Sequence, residues 1–422
     1  MLPLLLLALC QTPVDERLDR AEAELKSLRQ QLADSRTEHQ RERETDLARW
    51  LALLDESRAT SESGSSPEKL SWGGYGEFHY NDLEGPGGAQ LDIHRFVVYL
   101  GYTFSESIQL HSEVELEHGF LQDDKGELSI EQLYVDFNLC PTATLQAGRL
   151  LAPLGIVNQR HEPPTFNGVE RPSVERVVLP STWYQDGIGL VGDACPSARY
   201  QLMLTNGLDG TGFSAVNGIR GGRQKAQPSA NEPAISGRFD LHPLDFFDVE
   251  ATDQSLRLGC SAYYGGLDNG NKGSDPSVDA DLTILSVDAE YSFQRLDLRA
   301  VAAVERIGGA RELSTVTTDS IASEITGWYV EAAWHWMPET WRDGPRGWHD
   351  AIAFVRYDAI DTQRDLPNGL PADPTGDRNE WTLGLGLYPL PNLVLKADYQ
   401  LRDDEAASAP RNQLNVGLGW SF

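Results

Sequence analysis

The chain has 422 residues, 23% of them charged, and it carries 39 glycines, 14 tyrosines and 10 tryptophans. Its formal net charge is −29 at pH 7. Nucleic-acid phosphates require a basic protein face, so this charge excludes a nucleic-acid partner. The glycine and aromatic content exceeds what a helical protein needs.

The chain begins with an apolar run, MLPLLLLALC. This run is too short to span a bilayer but has the length of the apolar part of a secretory signal. We therefore predict a signal peptide over residues 1–12, which places the rest of the chain outside the cytoplasm.

The next segment, residues 14–56, has no glycine or proline. Leu18, Leu25 and Leu32 lie seven residues apart, which predicts a short coiled coil. The alternative is a single solvated helix with a weak apolar stripe. Residues 57–69 are small and polar and predict a flexible linker.

From Leu70 onward the sequence alternates between apolar and polar residues. In residues 285–293, Leu285 and Val287 lie on one face while Ser286 and Asp288 lie on the other. A period of two indicates a strand with one apolar and one polar face. Sixteen such segments follow one another, at 72–80, 92–104, 107–117, 127–137, 144–150, 186–193, 198–206, 233–241, 254–264, 281–293, 296–307, 324–336, 350–358, 380–388, 392–402 and 411–422.

The connections between these segments alternate in length. Those after even-numbered segments are often tight, such as Ser105-Glu106 and Gln294-Arg295, whereas those after odd-numbered segments are long. Short turns at one end and long loops at the other are typical of bacterial outer-membrane barrels. We therefore predict an all-β fold, a 16-stranded antiparallel transmembrane β-barrel over residues 70–422, preceded by a periplasmic α-helical coiled coil. The alternative is a large soluble β-sandwich.

Several short motifs resemble one family of such barrels. Ala147-Gly-Arg-Leu150, Ala152-Pro-Leu-Gly155 and Glu170-Arg-Pro172, with Gly74-Tyr-Gly-Glu77, are similar to the phosphate-selective porin O and P family. The resemblance implies a homotrimer in which the third long loop, residues 151–185, folds into the lumen and narrows it. It also implies that the coiled coil lies on the trimer axis in the periplasm.

The third loop and the strands beside it supply candidate charges for a pore constriction. Arginine binds phosphate bidentately, so a row of arginines suits an anion-selective pore. Each arginine has an alternative role as one half of an ion pair that holds the loop. The predicted constriction residues are Arg95, Arg149, Arg160, Glu162, Glu170, Arg171 and Arg176.

Carboxylates dominate the predicted inner face. A pore that is acidic on balance favours cations, so we do not predict phosphate as the solute. The predicted lumen-facing residues are Glu113, Glu115, Asp288, Glu290, Lys396 and Asp398.

Cys140 and Cys195 fall in two successive tight turns, and an oxidising periplasm would permit a disulfide between them. No His-x-x-x-His pair carries a neighbouring glutamate, so a zinc hydrolase is unsupported. We predict no metal site, no cofactor and no enzymatic activity.

Two functions remain. The first is a porin whose water-filled channel passes small ions and hydrophilic solutes through the outer membrane, in contact with its lipids. The second is an envelope tether that links the outer membrane to the cell wall through the coiled coil. A phosphate- or anion-selective channel is a variant of the first.

Overall fold

The computed structural model describes residues 69–85, 88–119, 126–247, 254–268, 278–342, 347–404 and 411–422, together with Lys26. Apart from Lys26 and Lys69, the predicted signal peptide, coiled coil and linker lie outside the described residues. None of the described helices is both long and apolar enough to cross a bilayer.

Antiparallel strands form one closed sheet. Each strand of the wall pairs with the next strand of the wall, and the last strand pairs with the first through Tyr75 opposite Ser421. The strands are Leu70–Leu83 (β1), Ala89–Ser105 (β2), Ile108–Glu117 (β3), Leu128–Cys140 (β4), Ala143–Leu151 (β5), Tyr184–Cys195 (β6), Ala198–Asn206 (β7), Leu208–Asp209 (β8), Pro233–Leu241 (β9), Gln254–Asp268 (β10), Asp281–Phe293 (β11), Leu296–Gly308 (β12), Glu324–His335 (β13), Asp350–Asp365 (β14), Asp377–Leu390 (β15), Leu393–Asp404 (β16) and Gln413–Ser421 (β17).

The predicted sixteen-stranded barrel is confirmed. The two-residue strand β8 is additional: it pairs in parallel with the end of β10 and forms no part of the closed wall, in which β7 pairs with β9. The short helices lie in the connections, at Val174–Val177, Ala310–Leu313 and Glu339–Arg342, with 3-10 turns at Pro163–Thr165, Gly210–Gly212, Arg220–Gly222 and Pro243–Phe247.

The alternation of each strand turns apolar residues outward and polar residues inward. On β11, Leu285 and Val287 are 54% and 58% exposed, whereas Ser286 and Asp288 are buried inside the barrel. An exposed apolar outer face around a polar interior is the reverse of a water-soluble domain. This arrangement excludes the soluble sandwich.

The two ends of the barrel differ. At the turn end, β2 and β3 are joined through Glu106 and Ser107, and β11 and β12 through Gln294 and Arg295. The opposite end, called here the loop end, carries the long connections. The longest connection in which every residue is described follows β5, and residues 152–183 of it are called loop L3.

The predicted disulfide is not present, because Cys140 and Cys195 are free thiols. Cys140 ends β4 and Cys195 ends β6, and β5 lies between these strands. Two strand spacings separate the two turns by roughly 10 Å. A disulfide requires a Cα separation below about 7 Å.

Candidate pore and the inward-folded loop L3

Loop L3 lies inside the barrel, and one part of it is held by apolar contacts. Val174, Val178 and Leu179 are at most 1% exposed. They belong to one apolar cluster with inward-facing wall residues that include Ile284 and Ile325. The inner wall is therefore apolar where this part of L3 packs. We call residues 174–179 the apolar segment of L3.

Glu175 connects the apolar segment to the start of the loop. Its buried carboxylate accepts hydrogen bonds from the backbone N–H groups of Ile156 and Val157 and from the Tyr329 hydroxyl, the last at 2.7 Å. Burial raises the pKa of Glu175 to about 7. Gly155 has φ 67°, and a Cβ there would lie 2.7 Å from the Glu175 Oε2, so glycine is required at this turn.

Another part of L3 is held by charged groups of the wall, and we call residues 158–170 the polar segment. The Lys396 Nζ donates to the backbone oxygens of Phe166 and Gly168 and lies 3.9 Å from the centre of the Phe166 ring. Asp398 accepts from the Val169 N–H at 2.6 Å. Lys396 and Asp398 thus bind the loop backbone directly.

His161 is a buried residue of the polar segment that the sequence analysis did not single out. Its Nε2 lies 3.2 Å from Glu113 on β3 and 3.5 Å from Glu131 on β4. Burial alone lowers the pKa of His161, but hydrogen bonds to the two glutamates outweigh it and raise the pKa to about 10. His161 is therefore a cation that docks L3 onto two carboxylates.

Arginines and carboxylates alternate on the inner wall from β9 to β14. Arg238 lies 2.7 Å from Asp240 and 2.9 Å from Asp288, and Arg257 lies 2.8 Å from Glu290. This ion-pair ladder comprises Asp240, Arg238, Asp288, Arg257, Glu290, Arg299, Glu331, Arg356 and Asp358. The sequence carried a signal for it, since Arg238/Asp240 and Arg356/Asp358 are spaced two apart on one face of a strand.

A second group of arginines contacts L3 through backbone carbonyls. Arg220 donates to the oxygens of Arg176 and Ser181 at 2.7 and 3.1 Å. Arg223 donates to the Thr182 oxygen, and Arg171 donates to the His161 oxygen. Burial and the repulsion of neighbouring arginines lower the pKa of Arg220 to about 9. Positive charge therefore concentrates beside L3.

The predicted constriction residues occupy different positions. Arg160 bonds to Glu290 at 2.7 Å, Glu162 accepts from the Tyr99 hydroxyl, and Glu170 accepts from Asn81. Arg95 on β2 pairs with Glu77 at 2.9 Å and with Glu115 at 3.4 Å. Arg171 donates within L3 to the His161 oxygen, and the backbone oxygen of Arg176 accepts from Arg220.

Arg149 differs from the prediction, because it lies on the outer face. Its cross-strand partner Leu133 is 43% exposed on the outside of the wall, and direct partners share a face. Arg149 pairs there with Asp186, with Nε to Oδ1 at 2.6 Å. Leu150, the next residue of the strand, is buried inside the barrel, and neighbouring residues of a strand point to opposite faces. Arg149 therefore points outward.

A polar cavity of about 440 Å³ lies between L3 and the turn end. Its lining includes Gln132, Gln146, Gln159, Arg160, Arg199 and Arg257. Amide and guanidinium groups solvate ions and hydrophilic molecules, so this space suits water and small polar solutes. All six predicted lumen-facing residues point into the barrel interior: Glu113, Glu115, Asp288, Glu290, Lys396 and Asp398.

Comparisons with known proteins agree with this architecture. No protein-family model matches the sequence. An uncharacterized protein of Aquifex aeolicus (strain VF5) is 29% identical over 368 residues, covering 84% of this chain and 80% of that protein.

Solved structures with similar folds are outer-membrane channels at low sequence identity. The anion-selective porin from Comamonas acidovorans is 11% identical with a TM-score of 0.52, covering 84% of this chain and 99% of that one. Salmonella typhi OmpF in complex with daunomycin is 12% identical with a TM-score of 0.52, and the channel DcaP of Acinetobacter baumannii is 12% identical with a TM-score of 0.51. In both cases the match covers 84% of this chain and 97% of the solved chain. At such identities the likeness shows the fold alone: the chain has the barrel fold of outer-membrane porins.

Proposed function

We propose that the protein is an outer-membrane porin that passes small ions and hydrophilic solutes by passive diffusion, with L3 as the constriction. The observation that carries the proposal is the polar cavity of about 440 Å³ beneath L3, inside a closed wall whose outer face is apolar. Only a closed barrel satisfies every strand edge in a bilayer, and its polar interior then faces water.

The constriction acts through the residues that line the gap between L3 and the wall. Arg160, Glu162 and Arg171 belong to L3, and Arg95 and Glu290 approach it from the wall. The ion-pair ladder neutralises most of its own charge. Selectivity therefore depends on the charges around L3 that do not belong to the ladder.

We propose a preference for cations. Among the buried charged side chains that the structure describes and that lie outside the ladder, carboxylates clearly outnumber lysines, arginines and the His161 cation. Rings of carboxylates attract cations in a pore. The carboxylates outside the ladder are Glu77, Glu113, Glu115, Glu131, Glu175, Asp268, Glu305, Glu380 and Asp398, against Arg95, Arg171, Lys396 and His161.

The alternative is an anion-selective channel, and one observation favours it. Arg220 and Arg223 donate to backbone carbonyls of L3, and no carboxylate among the described residues forms an ion pair with either guanidinium. This is also the arrangement toward which the resemblance to the phosphate-selective porin O and P family points. That narrower membership stays a prediction.

Single-channel current across a planar bilayer under a salt gradient tests both ideas. A reversal potential that favours cations supports the acidic pore, and Arg220→Gln then shifts it further toward cations. Arg306→Gln is the matched control, because Arg306 is an exposed arginine paired with Glu324. A reversal potential that favours anions supports the alternative. A folded barrel without current steps contradicts the channel.

We further propose a homotrimer in which residues 14–56 form a periplasmic coiled coil. Deleting residues 14–69 tests whether the helix drives assembly. We expect the barrel to fold. On a semi-native gel, its trimer band should disappear at a lower temperature than that of the full chain. Wall binding that disappears with the same deletion supports the tether.

A further inference from the structure

Two histidines and an aspartate meet at the loop end, on β2 and at the end of β3, whereas the ion-pair ladder lies on β9 to β14. Asp92 and His94 lie on β2, and His118 follows the last residue of β3. Leu91 and Ile93 are 70% and 54% exposed on the outer face, so Asp92 and His94 point into the barrel.

The three side chains converge on one point. The Asp92 Oδ2 lies 3.0 Å from the His94 Nδ1 and 2.8 Å from the His118 Nδ1. The potential ligand atoms all lie within 4.8 Å of one another. A metal ion bound at about 2.0–2.2 Å from each atom in tetrahedral geometry places its ligands roughly 3.4 Å apart. The two Nδ1–Oδ2 distances, 3.0 and 2.8 Å, must open by about 0.4 and 0.6 Å to reach that spacing.

The backbone holds the second histidine over the first. The His118 N–H donates to the His94 carbonyl at 3.0 Å. His118 has φ 57°, a left-handed conformation that few non-glycine residues adopt, and Gly119 continues it with φ 58°. The turn thereby folds the His118 ring back toward the strand, and the two imidazole rings stand 5.6 Å apart at 79°.

Neighbouring residues fix the first histidine. The His79 ring stacks on the His94 ring at 4.4 Å and 11°, and the Arg95 Nη2 donates to the His94 Nε2 at 3.1 Å. Arg95 is held in turn by Glu77 and Glu115, which compensate its charge. The stacked His79 ring limits how far the His94 ring can turn, whereas the Arg95 contact belongs to the metal-free chain, because a guanidinium can only donate.

We propose that Asp92, His94 and His118 bind a divalent first-row transition-metal ion, with Zn²⁺ as the representative, at the loop-end mouth of the barrel. Imidazole nitrogens with one carboxylate suit zinc and its neighbours, whereas magnesium and calcium prefer oxygen ligands alone. The His118 side chain is 46% exposed, which leaves room for water as a further ligand. The site depends only on the barrel wall and not on the proposed channel function.

Metal binding moves the proton of His94 from one ring nitrogen to the other. Guanidinium only donates, so the His94 Nε2 accepts from Arg95 and the neutral His94 ring carries its proton on Nδ1. When the metal binds Nδ1, that proton leaves to solvent. The Nε2 takes up a proton from solvent, so the ring stays neutral and no net proton is released, and Arg95 turns away while keeping its carboxylate partners Glu77 and Glu115.

Isothermal titration calorimetry of the folded full-length chain in detergent, with Zn²⁺ as titrant, tests the site. We expect saturable binding of one ion per chain, and an affinity at least about tenfold lower in His94→Ala and in His118→Ala. His111→Ala is the matched control, because His111 is also a half-exposed histidine paired with an aspartate, Asp136, but lies toward the turn end. It should bind Zn²⁺ as the unchanged chain does.

The proposal is overturned if the unchanged chain shows no saturable binding at one equivalent. It is equally overturned if the His94→Ala/His118→Ala double variant binds as tightly as the control. Heat-modifiable migration on a semi-native gel confirms that each variant is folded. Because calorimetry needs no current, failure of this site and failure of the channel proposal give separate results.

Discussion

Both segments of L3 are buried inside the barrel, but different interactions hold them there. The apolar segment, 174–179, packs Val174 and Val178 against an apolar stretch of inner wall. The polar segment, 158–170, is held by hydrogen bonds and ion pairs from Lys396, Asp398 and the glutamates around His161. Apolar packing tolerates small shifts, whereas a buried charge loses several kcal/mol when its partner is removed. The polar segment should therefore be the more sensitive to single changes.

The largest effect is expected for His161→Ala. It leaves Glu113 and Glu131 buried without their cationic partner, which costs about 3–5 kcal/mol of docking free energy. Faster hydrogen exchange of the L3 amides, or cleavage of L3 by added protease, measures this loss. His111→Ala is the control, since its partner Asp136 lies outside L3. Unchanged exchange in His161→Ala contradicts the docking role.

The pH dependence separates the two segments. The pKa of His161, about 10, lies above the ordinary 6.5, so its contribution to docking is complete below pH 6.5 and is lost as pH rises to about 10. The pKa of Glu175, about 7, lies above the ordinary 4.5, so the proton-linked part of its contribution is complete below pH 4.5 and is lost as pH rises to about 7. As pH rises, hydrogen exchange should become faster in the apolar segment before it becomes faster in the polar segment. His161→Gln should remove the upper transition alone.

A somewhat smaller effect is expected for Glu175→Ala. It removes the acceptor of the Ile156 and Val157 N–H groups and of the Tyr329 hydroxyl, at a cost of about 3 kcal/mol. Exchange of these two amides reports the change directly. Glu162→Ala is the control, because Glu162 accepts one side-chain bond from Tyr99. Equal exchange in both variants contradicts the role of Glu175.

Lys396→Met should cost about 2 kcal/mol. It removes the donor to the Phe166 and Gly168 oxygens but keeps an apolar chain against the Phe166 ring. We expect noisier single-channel current, because the polar segment moves more. Lys225→Met is the control, since Lys225 pairs with Glu127 and is half exposed. If the current of Lys396→Met is as quiet as that of the unchanged chain, the polar segment does not border the conducting path.

The smallest effect is expected in the apolar segment. Val178→Ala removes two buried methyl groups, at a cost of about 1–2 kcal/mol. Thermal unfolding of the barrel should barely change, while hydrogen exchange of residues 174–179 should rise slightly. A loss as large as that of His161→Ala would mean that apolar packing, and not charge, holds L3.

Sequence alternation predicted the wall well, because each strand repeats one physical requirement. Leu285 must face lipid and Asp288 must face the interior, and the pattern of period two carries both facts. The prediction that Arg149 lines the pore was wrong because it followed the chemistry of the side chain and not the period of the strand. Its chemistry suggested the pore, but its register position opposite Leu133 places it on the outer face.

Contacts between distant parts of the chain were beyond such patterns. His161 meets Glu113 and Glu131 only because L3 turns inward, and no local spacing encodes that turn. Likewise His94 and His118 are far apart along the chain and are united by the pairing of β2 with β3 and by the left-handed turn after β3.

By itself the sequence determined the number of strands, the closed barrel, the inward or outward side of most residues and the alternation of turns and loops. These features follow from local periodicity, which repeats strand after strand. The tertiary structure alone decided how L3 is held, which arginines are neutralised in the ladder, that Cys140 and Cys195 stay apart, and where Asp92 meets two histidines. Each of these depends on which strands are neighbours and at what register, and that is a property of the closed wall as a whole.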